Sequence, residues 1–450
     1  MEASQARPAD IAAAVLELVR ARVPSAETEA TVRLGNEALT RFAGSFIHQN
    51  MGAETSHISL RVALDGRVAA ATMDGPTDRD TLGRLVDDVL AAARLRPADP
   101  DWPGLTAAAP SPDAGHWDDD TAEATPEARA QRVADFVAAA DGLETAGYCS
   151  TEGLRTCFAN SAGQLAEGRS TIAAVDGIAR TATSDGSSHA VSVRLADLDG
   201  ASAGRRAAAK ARSAAHHTDL PPGRYEVLLE PYCVADIVAF LLIYGFSGRA
   251  VEEGRSFVRL GELQLDPALT LRDDVTEVGH VGIAFDAEGT PRRGISLVSG
   301  GVSTALLHDR RTAARAGTTS TGNAMEGAAA WGPLPSAALV AAGDRSDPDL
   351  LAGMERGLLI TDLHYTRVLD PRTLVVTGLT RNGVWLVEQG RIVGSVANVR
   401  FTQSYVEALA PGAVRAVGSS RALVPGGFDG NLLVPMLHLS SWNVTGNARG

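Results

Sequence analysis

The sequence predicts an α+β protein whose first half mixes helices with strands and whose second half is mostly β-structure. In the first half, apolar residues at helical spacing alternate with strand-like runs. In the second half, short apolar runs are separated by glycine-rich turns. The segment Pro221-Pro222-Gly223 interrupts the chain between these patterns, because proline and glycine break regular structure. We therefore expect an N-terminal α/β domain at residues 1–220 and a C-terminal β-rich domain at residues 221–450.

Composition excludes several classes of protein. The chain has 450 residues and a net charge of −13, which argues against nucleic-acid binding, since a nucleic-acid binder needs a basic face. The longest apolar stretch, residues 234–246, contains Asp236 and is shorter than the ~20 residues that span a membrane. The three cysteines, Cys149, Cys157 and Cys233, are too few and too sparse to imply a disulfide framework. We expect a cytoplasmic protein that acts neither on nucleic acid nor in a membrane.

The elements of the first half follow from apolar periodicity and turn signals. Helices are predicted at residues 9–23, 81–95, 126–140 and 202–215. Strands are predicted at residues 29–33, 39–42, 57–62 and 67–72, and within 149–182. Gly35 and Asn36 are expected to break the first two strands apart, and Asp65-Gly66 predicts a hairpin turn because this dipeptide tolerates positive φ. Thr125 is expected to cap the helix that follows it.

The elements of the second half are mainly short strands. The first of these, at residues 224–230, precedes a buried helix at 234–244. Further strands are predicted at residues 282–285, 295–298, 302–307, 374–378, 383–388 and 391–396. One helix, at residues 347–357, interrupts them, and Gln389-Gly390 predicts a hairpin turn.

No strong catalytic motif occurs in the chain. The nucleophile-elbow pattern G-x-S-x-G is absent, and Lys210, the only lysine, is not part of a phosphate-binding P-loop. Asp362 and His364 have the spacing of two ligands on one strand face, but no neighbouring residue completes a metal site. The residues alone therefore leave the function open.

One small polar loop could bind a ligand. Ser320, Thr321, Gly322 and Asn323 follow an arginine-rich stretch, and such a loop can present backbone amides to a peptide or an anion. A plain surface turn is the alternative interpretation of the same four residues.

Six blocks of sequence together resemble the TldD/TldE (PmbA) metallopeptidase family. They occur in the family's order over roughly residues 28–446, at residues 39–50, 245–257, 285–289, 320–323, 383–388 and 396–403. The resemblance implies an N-terminal α/β domain followed by a C-terminal domain of large, mostly antiparallel β-sheets. It also implies a heterodimeric zinc peptidase that cuts small or unfolded peptides, in some settings to mature peptide natural products.

The chain departs from the family at the zinc motif. In the family, the TldD subunit carries H-E-x-x-x-H on a helix and a cysteine ligand near its C-terminus. The equivalent positions here fall near Val238, Ala239 and Ile243, and no cysteine follows Cys233. Aliphatic side chains cannot bind zinc. The resemblance therefore implies a metal-free, TldE-like subunit without a catalytic residue or cofactor of its own, whose TldD-like partner holds zinc and whose substrate is a peptide.

Two other functions are compatible with the sequence. The chain could be a free-standing hydrolase that uses residues such as His308, Ser320 or His364 in a re-used cleft. It could also be a regulatory module that binds a peptide or protein without turnover. Activity of the chain without a partner would support the free-standing hydrolase. Binding of a peptide or protein without turnover would support the regulatory module.

Overall fold

The computed structural model describes residues 7–327, 331–426 and 430–448, which form two large β-sheets with helices packed on them. The N-terminal sheet has six strands and the C-terminal sheet has twelve. No helix in the described part of the chain is both long enough and apolar enough to cross a membrane. The predicted α+β class, with large and mostly antiparallel sheets, is confirmed. The domain boundary at Pro221 stays a prediction.

The N-terminal sheet is antiparallel throughout, in the order β3-β2-β1-β4-β5-β6. Its strands are β1 (Glu27–Ala43), β2 (Phe46–Leu64), β3 (Arg67–Asp74), β4 (Glu144–Asn160), β5 (Leu165–Arg180) and β6 (Asp185–Ser192). The hairpin turn at Asp65 and Gly66 is confirmed, with φ of 48° and 76°. The expected break at Gly35 and Asn36 is wrong. Strand β1 runs through both residues because it is hydrogen-bonded to β2 on one side and to β4 on the other.

Five helices occur in the described first half, and four of them cover this sheet in two pairs. They are α1 (Pro8–Arg22), α2 (Arg79–Leu95), α3 (Asp119–Ala122), α4 (Pro126–Ala139) and α5 (Gly200–Ser213). Helices α1 and α2 bury apolar side chains against β1, β2 and β3, while α4 and α5 pack near β4 and β5. The predicted cap of α4 is confirmed, because the Thr125 hydroxyl accepts a hydrogen bond from the Ala128 amide at 3.3 Å.

Helices α4 and α5 approach each other closely at two glycines. A Cβ atom placed at Gly200 would lie 2.2 Å from the Arg132 carbonyl oxygen, and one at Gly204 would lie 2.2 Å from the Phe136 carbonyl oxygen. Backbone atoms of a packed helix cannot move aside cheaply. The two helices can therefore pack at this distance only because both positions lack a side chain.

The C-terminal sheet has three parallel pairs of strands, and its other pairs are antiparallel. Its strands are β7 (His217–Thr218), β8 (Gly223–Leu229), β9 (Leu271–Asp273), β10 (Ile295–Ser299), β11 (Val302–Ser303), β12 (Ala337–Val340), β13 (Arg356–Asp370), β14 (Val375–Glu388), β15 (Arg391–Val396), β16 (Val399–Ser404), β17 (Val414–Pro425) and β18 (Asn431–Asn447). Its helices are α6 (Pro231–Leu241), α7 (Gly248–Glu252), α8 (Arg310–Ala316), α9 (Asp347–Ala352) and α10 (Tyr405–Ala408).

The elements of the second half differ from the sequence-based expectations in several places. The strand expected at 302–307 covers only Val302–Ser303, and those expected at 374–378 and 383–388 belong to the single strand β14. Helix α6 ends at Leu241 and continues as a π-helical turn over Leu242–Phe246. The expected helix at 347–357 ends at Ala352, because the chain enters the long strand β13 at Arg356. Residues 282–285 form no strand, although Phe285 makes an isolated bridge. The hairpin turn at Gln389-Gly390 is confirmed.

Apolar contacts and ion pairs join the two sheets. Ile172 and Val191 of the N-terminal sheet pack against Leu423 and Leu433 of the C-terminal sheet. The Lys210 ammonium, at the end of α5, lies 2.6 Å from the Glu230 carboxylate, directly before α6. This pair is mostly buried, so it fixes the start of α6 relative to the N-terminal sheet.

A buried cluster of charges also joins the N-terminal sheet to helix α8 and to Glu288 in the loop region before it. Glu29 accepts hydrogen bonds from Arg61 and from Arg310, each at 2.5 Å. Arg310 also contacts Glu288 at 3.1 Å. Because each buried carboxylate faces guanidinium groups, the cost of removing it from water is offset by hydrogen-bonded pairing.

We predict that Gly204→Ala destabilises the protein by about 1–3 kcal/mol, because the new methyl group would overlap the Phe136 carbonyl. The matched control is Gly83→Ala in α2, where the nearest atom to a new Cβ is the flexible Arg22 guanidinium at 3.4 Å. That change should stabilise by about 0.5–1 kcal/mol through helix propensity. Urea unfolding measures both. Equal effects of the two substitutions would contradict the packing argument.

Candidate functional site

A cavity of about 500 Å³ lies between helix α6 and the strands β6, β13 and β14. It has an apolar wall from α6 and its π-helical turn, and a polar wall from the three strands. The cavity is lined by His189, Tyr232, Ala235, Asp236, Ala239, Phe240, Ile243, Tyr244, Trp331, Asp362, Leu363, His364, Arg381, Asn382, Val424, Pro425, Gly426 and Leu432. Mostly apolar lining with a few convergent polar groups is typical of a ligand site.

Aromatic rings continue the apolar wall. Phe240 and Tyr244 are stacked, with ring centroids 5.9 Å apart. Tyr244 meets Trp331 edge-on at 6.2 Å, and Phe240 meets Tyr405 edge-on at 6.0 Å. Each contact uses a favoured geometry of aromatic pairs. Phe240, Tyr244 and Trp331 thus form a continuous aromatic surface along which a ligand can pack, while Tyr405 is fully buried.

A histidine between two carboxylates forms the polar wall. His189 Nδ1 lies 2.5 Å from the Asp176 carboxylate, and His189 Nε2 lies 3.8 Å from Asp362. The ring packs at 4.1 Å on Tyr232. Burial by itself lowers the pKa of His189, but hydrogen bonding to Asp176 and the charge of both carboxylates outweigh burial and raise the pKa to about 9. The imidazole is therefore cationic at neutral pH.

Asp362 belongs to this hydrogen-bonded wall. Its carboxylate accepts hydrogen bonds from the Ser187 hydroxyl at 3.0 Å and from the Asn382 amide at 2.7 Å. Burial raises the pKa of Asp362, but its contacts with His189 and Asn382 prevail and hold the pKa below the usual value. His364 points instead toward Arg381, whose guanidinium lies 3.4 Å away. Asp362 and His364 thus have different partners.

Asp236 is an acid embedded in the apolar wall. The Tyr405 hydroxyl and the Thr366 hydroxyl each donate a hydrogen bond to its carboxylate at 2.8 Å. Burial raises the pKa of Asp236 to about 6, although these two hydrogen bonds lower it. Because both partners belong to elements that pack against α6, Asp236 ties the helix to the C-terminal sheet.

The residues of α6 do not fit a zinc ion. Ala239 and Ile243 line the cavity, whereas Val238 is buried in the core of the C-terminal sheet. If the H-E-x-x-x-H motif is moved one residue along the helix, it falls on Ala239, Phe240 and Tyr244. All three of these residues line the cavity, and none is a histidine or a glutamate. No group of three histidine, cysteine or acidic side chains able to hold a metal occurs among the described residues. Aliphatic and phenyl groups offer no electron pair to a metal, which leaves the Tyr244 hydroxyl as the single possible donor among these positions.

The polar loop 320–323 lies elsewhere. Ser320 and Thr321 donate hydrogen bonds to the His308 carbonyl oxygen, and the Asn323 amide donates to Asp273 at 2.5 Å. None of the loop's residues lines the cavity beside α6. Its contact with a peptide stays a prediction.

The residues suggested for a free-standing hydrolase do not form a nucleophile and base. Ser320 contacts the backbone of His308, while the His308 ring faces the Thr312 hydroxyl at 3.2 Å. His364 lines the α6 cavity instead. A serine nucleophile needs a base within hydrogen-bond reach of its hydroxyl.

A second cavity, of about 580 Å³, adjoins the buried charge cluster. Three of its charged lining residues form ion pairs with residues outside the lining: Arg311 contacts Asp99, Arg315 contacts Asp101, and Glu326 contacts Arg33 at 3.0 Å. These groups have partners within the chain, so the cavity beside α6 is the better candidate site.

The sequence patterns marked Asp362 of the polar wall but not its other residues. His189 and Asp176 are 13 residues apart on the paired strands β6 and β5, and Tyr232 meets them because β6 also borders the start of α6. No local pattern marks them. Asp236 did carry a signal, because it is the one acid within an apolar helical segment.

We predict that His189 stabilises the fold in a pH-dependent way. Its pKa is about 9 when folded and about 6.5 when unfolded, so its contribution is complete below pH 6.5 and is lost as pH rises through 9. The difference in unfolding free energy between wild type and His189→Gln should shrink by about 3 kcal/mol from pH 6 to pH 10. His217→Gln, at an exposed histidine, is the control. A difference in unfolding free energy between the two proteins that does not change with pH would contradict the raised pKa of His189.

Comparisons with known proteins agree with this architecture. Residues 222–446, half of the chain, match the family model of the PmbA/TldA metallopeptidase C-terminal domain. The fold is similar to that of TldE from Thermococcus kodakarensis, with a TM-score of 0.85 and 19% identity over 96% of this chain and 99% of that chain. It is also similar to a candidate modulator of a DNA gyrase from Thermotoga maritima, with a TM-score of 0.82 and 18% identity over 96% and 99% of the two chains.

A curated relative extends the comparison to sequence. A protein named metalloprotease from Methanothermobacter thermautotrophicus is 26% identical over 212 residues, which are 46% of each chain. The match thus spans less than half of that relative's length. The similarity to the two solved structures, at 19% and 18% identity, shows a shared fold only. The family model, in contrast, matches the amino-acid sequence of residues 222–446. The chain therefore belongs to the PmbA/TldD metallopeptidase family, as the six sequence blocks indicate.

Proposed function

We propose that this chain is the metal-free, TldE-like subunit of a heterodimeric zinc peptidase of the TldD/TldE type. One observation carries the proposal: at the positions of the family's zinc motif, the helix and its π-helical turn carry Val238, Ala239 and Ile243, where a peptidase needs imidazole and carboxylate groups. In this proposal the zinc and its H-E-x-x-x-H motif belong to a TldD-like partner. This chain contributes no ligand and no general base.

The proposed task of this chain is to bind and enclose the peptide. The aromatic wall offers apolar contact to the side chains of an extended peptide, and Arg381 and Asn382 supply polar groups opposite that wall. Closing a peptidase cleft with a second subunit excludes water from the reacting groups. It also restricts entry to small or unfolded chains, because a folded domain is too large to enter a cavity of about 500 Å³.

The first test compares the chain alone with the chain co-expressed with a family member that carries H-E-x-x-x-H. A quenched fluorescent peptide library measures turnover. We expect turnover only in the co-purified complex, and none after the partner's motif glutamate is replaced by glutamine. Turnover by the lone chain would contradict the proposal. Tight peptide binding by the lone chain, with no complex formed, would favour the regulatory module instead.

The second test fills the cavity. We predict that Ala239→Trp in the complex raises KM for peptides about tenfold, because the indole would occupy part of the space beside Phe240 and Tyr244. The matched control is Ala91→Trp, at an exposed position of α2, which should leave KM unchanged. Steady-state kinetics with one library peptide measure both. An unchanged KM for Ala239→Trp would show that peptides bind elsewhere.

A further inference from the structure

One exposed charge lies in the cavity beside α6. Among the described residues that line this cavity, Arg381 is the one exposed residue that carries a charge. Its guanidinium has no carboxylate partner in the described part of the chain and contacts the His364 ring at 3.4 Å instead. Burial and the Arg381 charge lower the pKa of His364, so the ring is neutral at pH 7. His364 can therefore accept a hydrogen bond from Arg381 without cancelling its charge.

A β-bulge directs Arg381 toward the cavity. In the register of β13 against β14, Asn382 and Gly383 lie opposite a single residue, Thr361. Both bulge residues have positive φ, at 59° and 130°. Neighbouring residues of a regular strand face opposite sides of a sheet, yet Arg381 and Asn382 both line the cavity. Bulges re-aim side chains in this way, and they are over-represented next to active sites.

The acids of the cavity have partners other than Arg381. One carboxylate oxygen of Asp362 accepts hydrogen bonds from Ser187 and Asn382, and the other faces the cationic His189 at 3.8 Å. The two oxygens of Asp236 accept one hydrogen bond each from neighbouring hydroxyl groups. The charge available to a ligand in this cavity is therefore the positive charge of Arg381.

We propose that the ligand of this cavity is a peptide with a carboxylate that pairs with Arg381 and an apolar side chain that packs on the aromatic surface of Phe240, Tyr244 and Trp331. That the ligand is a peptide rests on the proposed function, whereas the anionic group follows from the cavity's own charge. The anions of an unmodified peptide are carboxylates, at its C-terminus or on acidic side chains. A guanidinium pairs with a carboxylate through two parallel hydrogen bonds, which fix the orientation of the ligand.

Peptides that differ in one group test this recognition. The first is a tetrapeptide with a fluorophore at its N-terminus and a C-terminal phenylalanine that has a free carboxylate. The second is its C-terminal amide, and the third is that amide with glutamate at the third position. Fluorescence anisotropy with the purified chain measures their affinities. We expect the free acid to bind about tenfold more tightly than the amide. The third peptide distinguishes the two sources, because it matches the free acid only if a side-chain carboxylate suffices.

Variants of Arg381 test whether this residue is responsible. Arg381→Gln should reduce the affinity for the free acid to that for the amide, and unchanged binding of the amide shows that the cavity is intact. Arg381→Lys keeps the charge without the planar fork and should give an intermediate affinity. The matched control is Arg391→Gln, at an exposed arginine of β15 outside the cavity lining, which should change nothing. Equal affinity of the wild type for acid and amide, no binding of either, or a preference for the acid that persists in Arg381→Gln would overturn the proposal.

The result is distinguishable from a failure of the proposed function. Binding is measured on this chain alone, so it depends neither on a partner nor on zinc. Turnover by the co-expressed complex, combined with equal affinity for acid and amide, would retain the subunit role and refute the recognition of a carboxylate. An Arg381-dependent preference for the acid, without turnover by any complex, would support the recognition and refute the subunit role.

Discussion

The packing of helix α6 is the constraint on which the rest of the C-terminal half depends. One face of the helix fills the core of the large sheet with Val234, Ile237 and Val238. The other face borders the cavity with small and aromatic side chains and with Asp236. The Asp236 carboxylate accepts hydrogen bonds from Tyr405 and Thr366, which fixes the helix on the sheet. The position of the candidate site is therefore a result of core packing.

The same helix shows how the fold can persist without zinc ligands at the positions of the family's motif. A zinc site stabilises the residues that surround it, so losing the ligands would leave polar groups without partners. Here the cavity-facing positions are Ala239, Phe240, Ile243 and Tyr244, which need no metal to be satisfied. Of the polar groups that remain, His189 Nδ1 is paired with Asp176, whereas His189 Nε2 and one carboxylate oxygen of Asp362 are buried without a hydrogen-bond partner.

Local patterns predicted the parts of the fold that depend on local physics. The hairpin at Asp65-Gly66 and the cap at Thr125 follow from positive φ and from hydrogen bonding to helix amides. The continuity of β1 through Gly35 could not be predicted, because it depends on two neighbouring strands, one of them more than 100 residues away. The candidate site was likewise predictable only in part. Ala239 and Ile243 were found through the family motif, whereas His189 reaches the cavity only through tertiary packing.

The central claim is that the metal of the assembly belongs to the other subunit. Native mass spectrometry of the co-expressed complex counts the zinc ions bound to each assembly and assigns them after gentle dissociation into subunits. The account predicts one zinc for each pair of unlike chains, retained by the H-E-x-x-x-H subunit, with this chain released free of metal. A zinc ion carried by this chain after dissociation, or two zinc ions for each pair, would contradict the account.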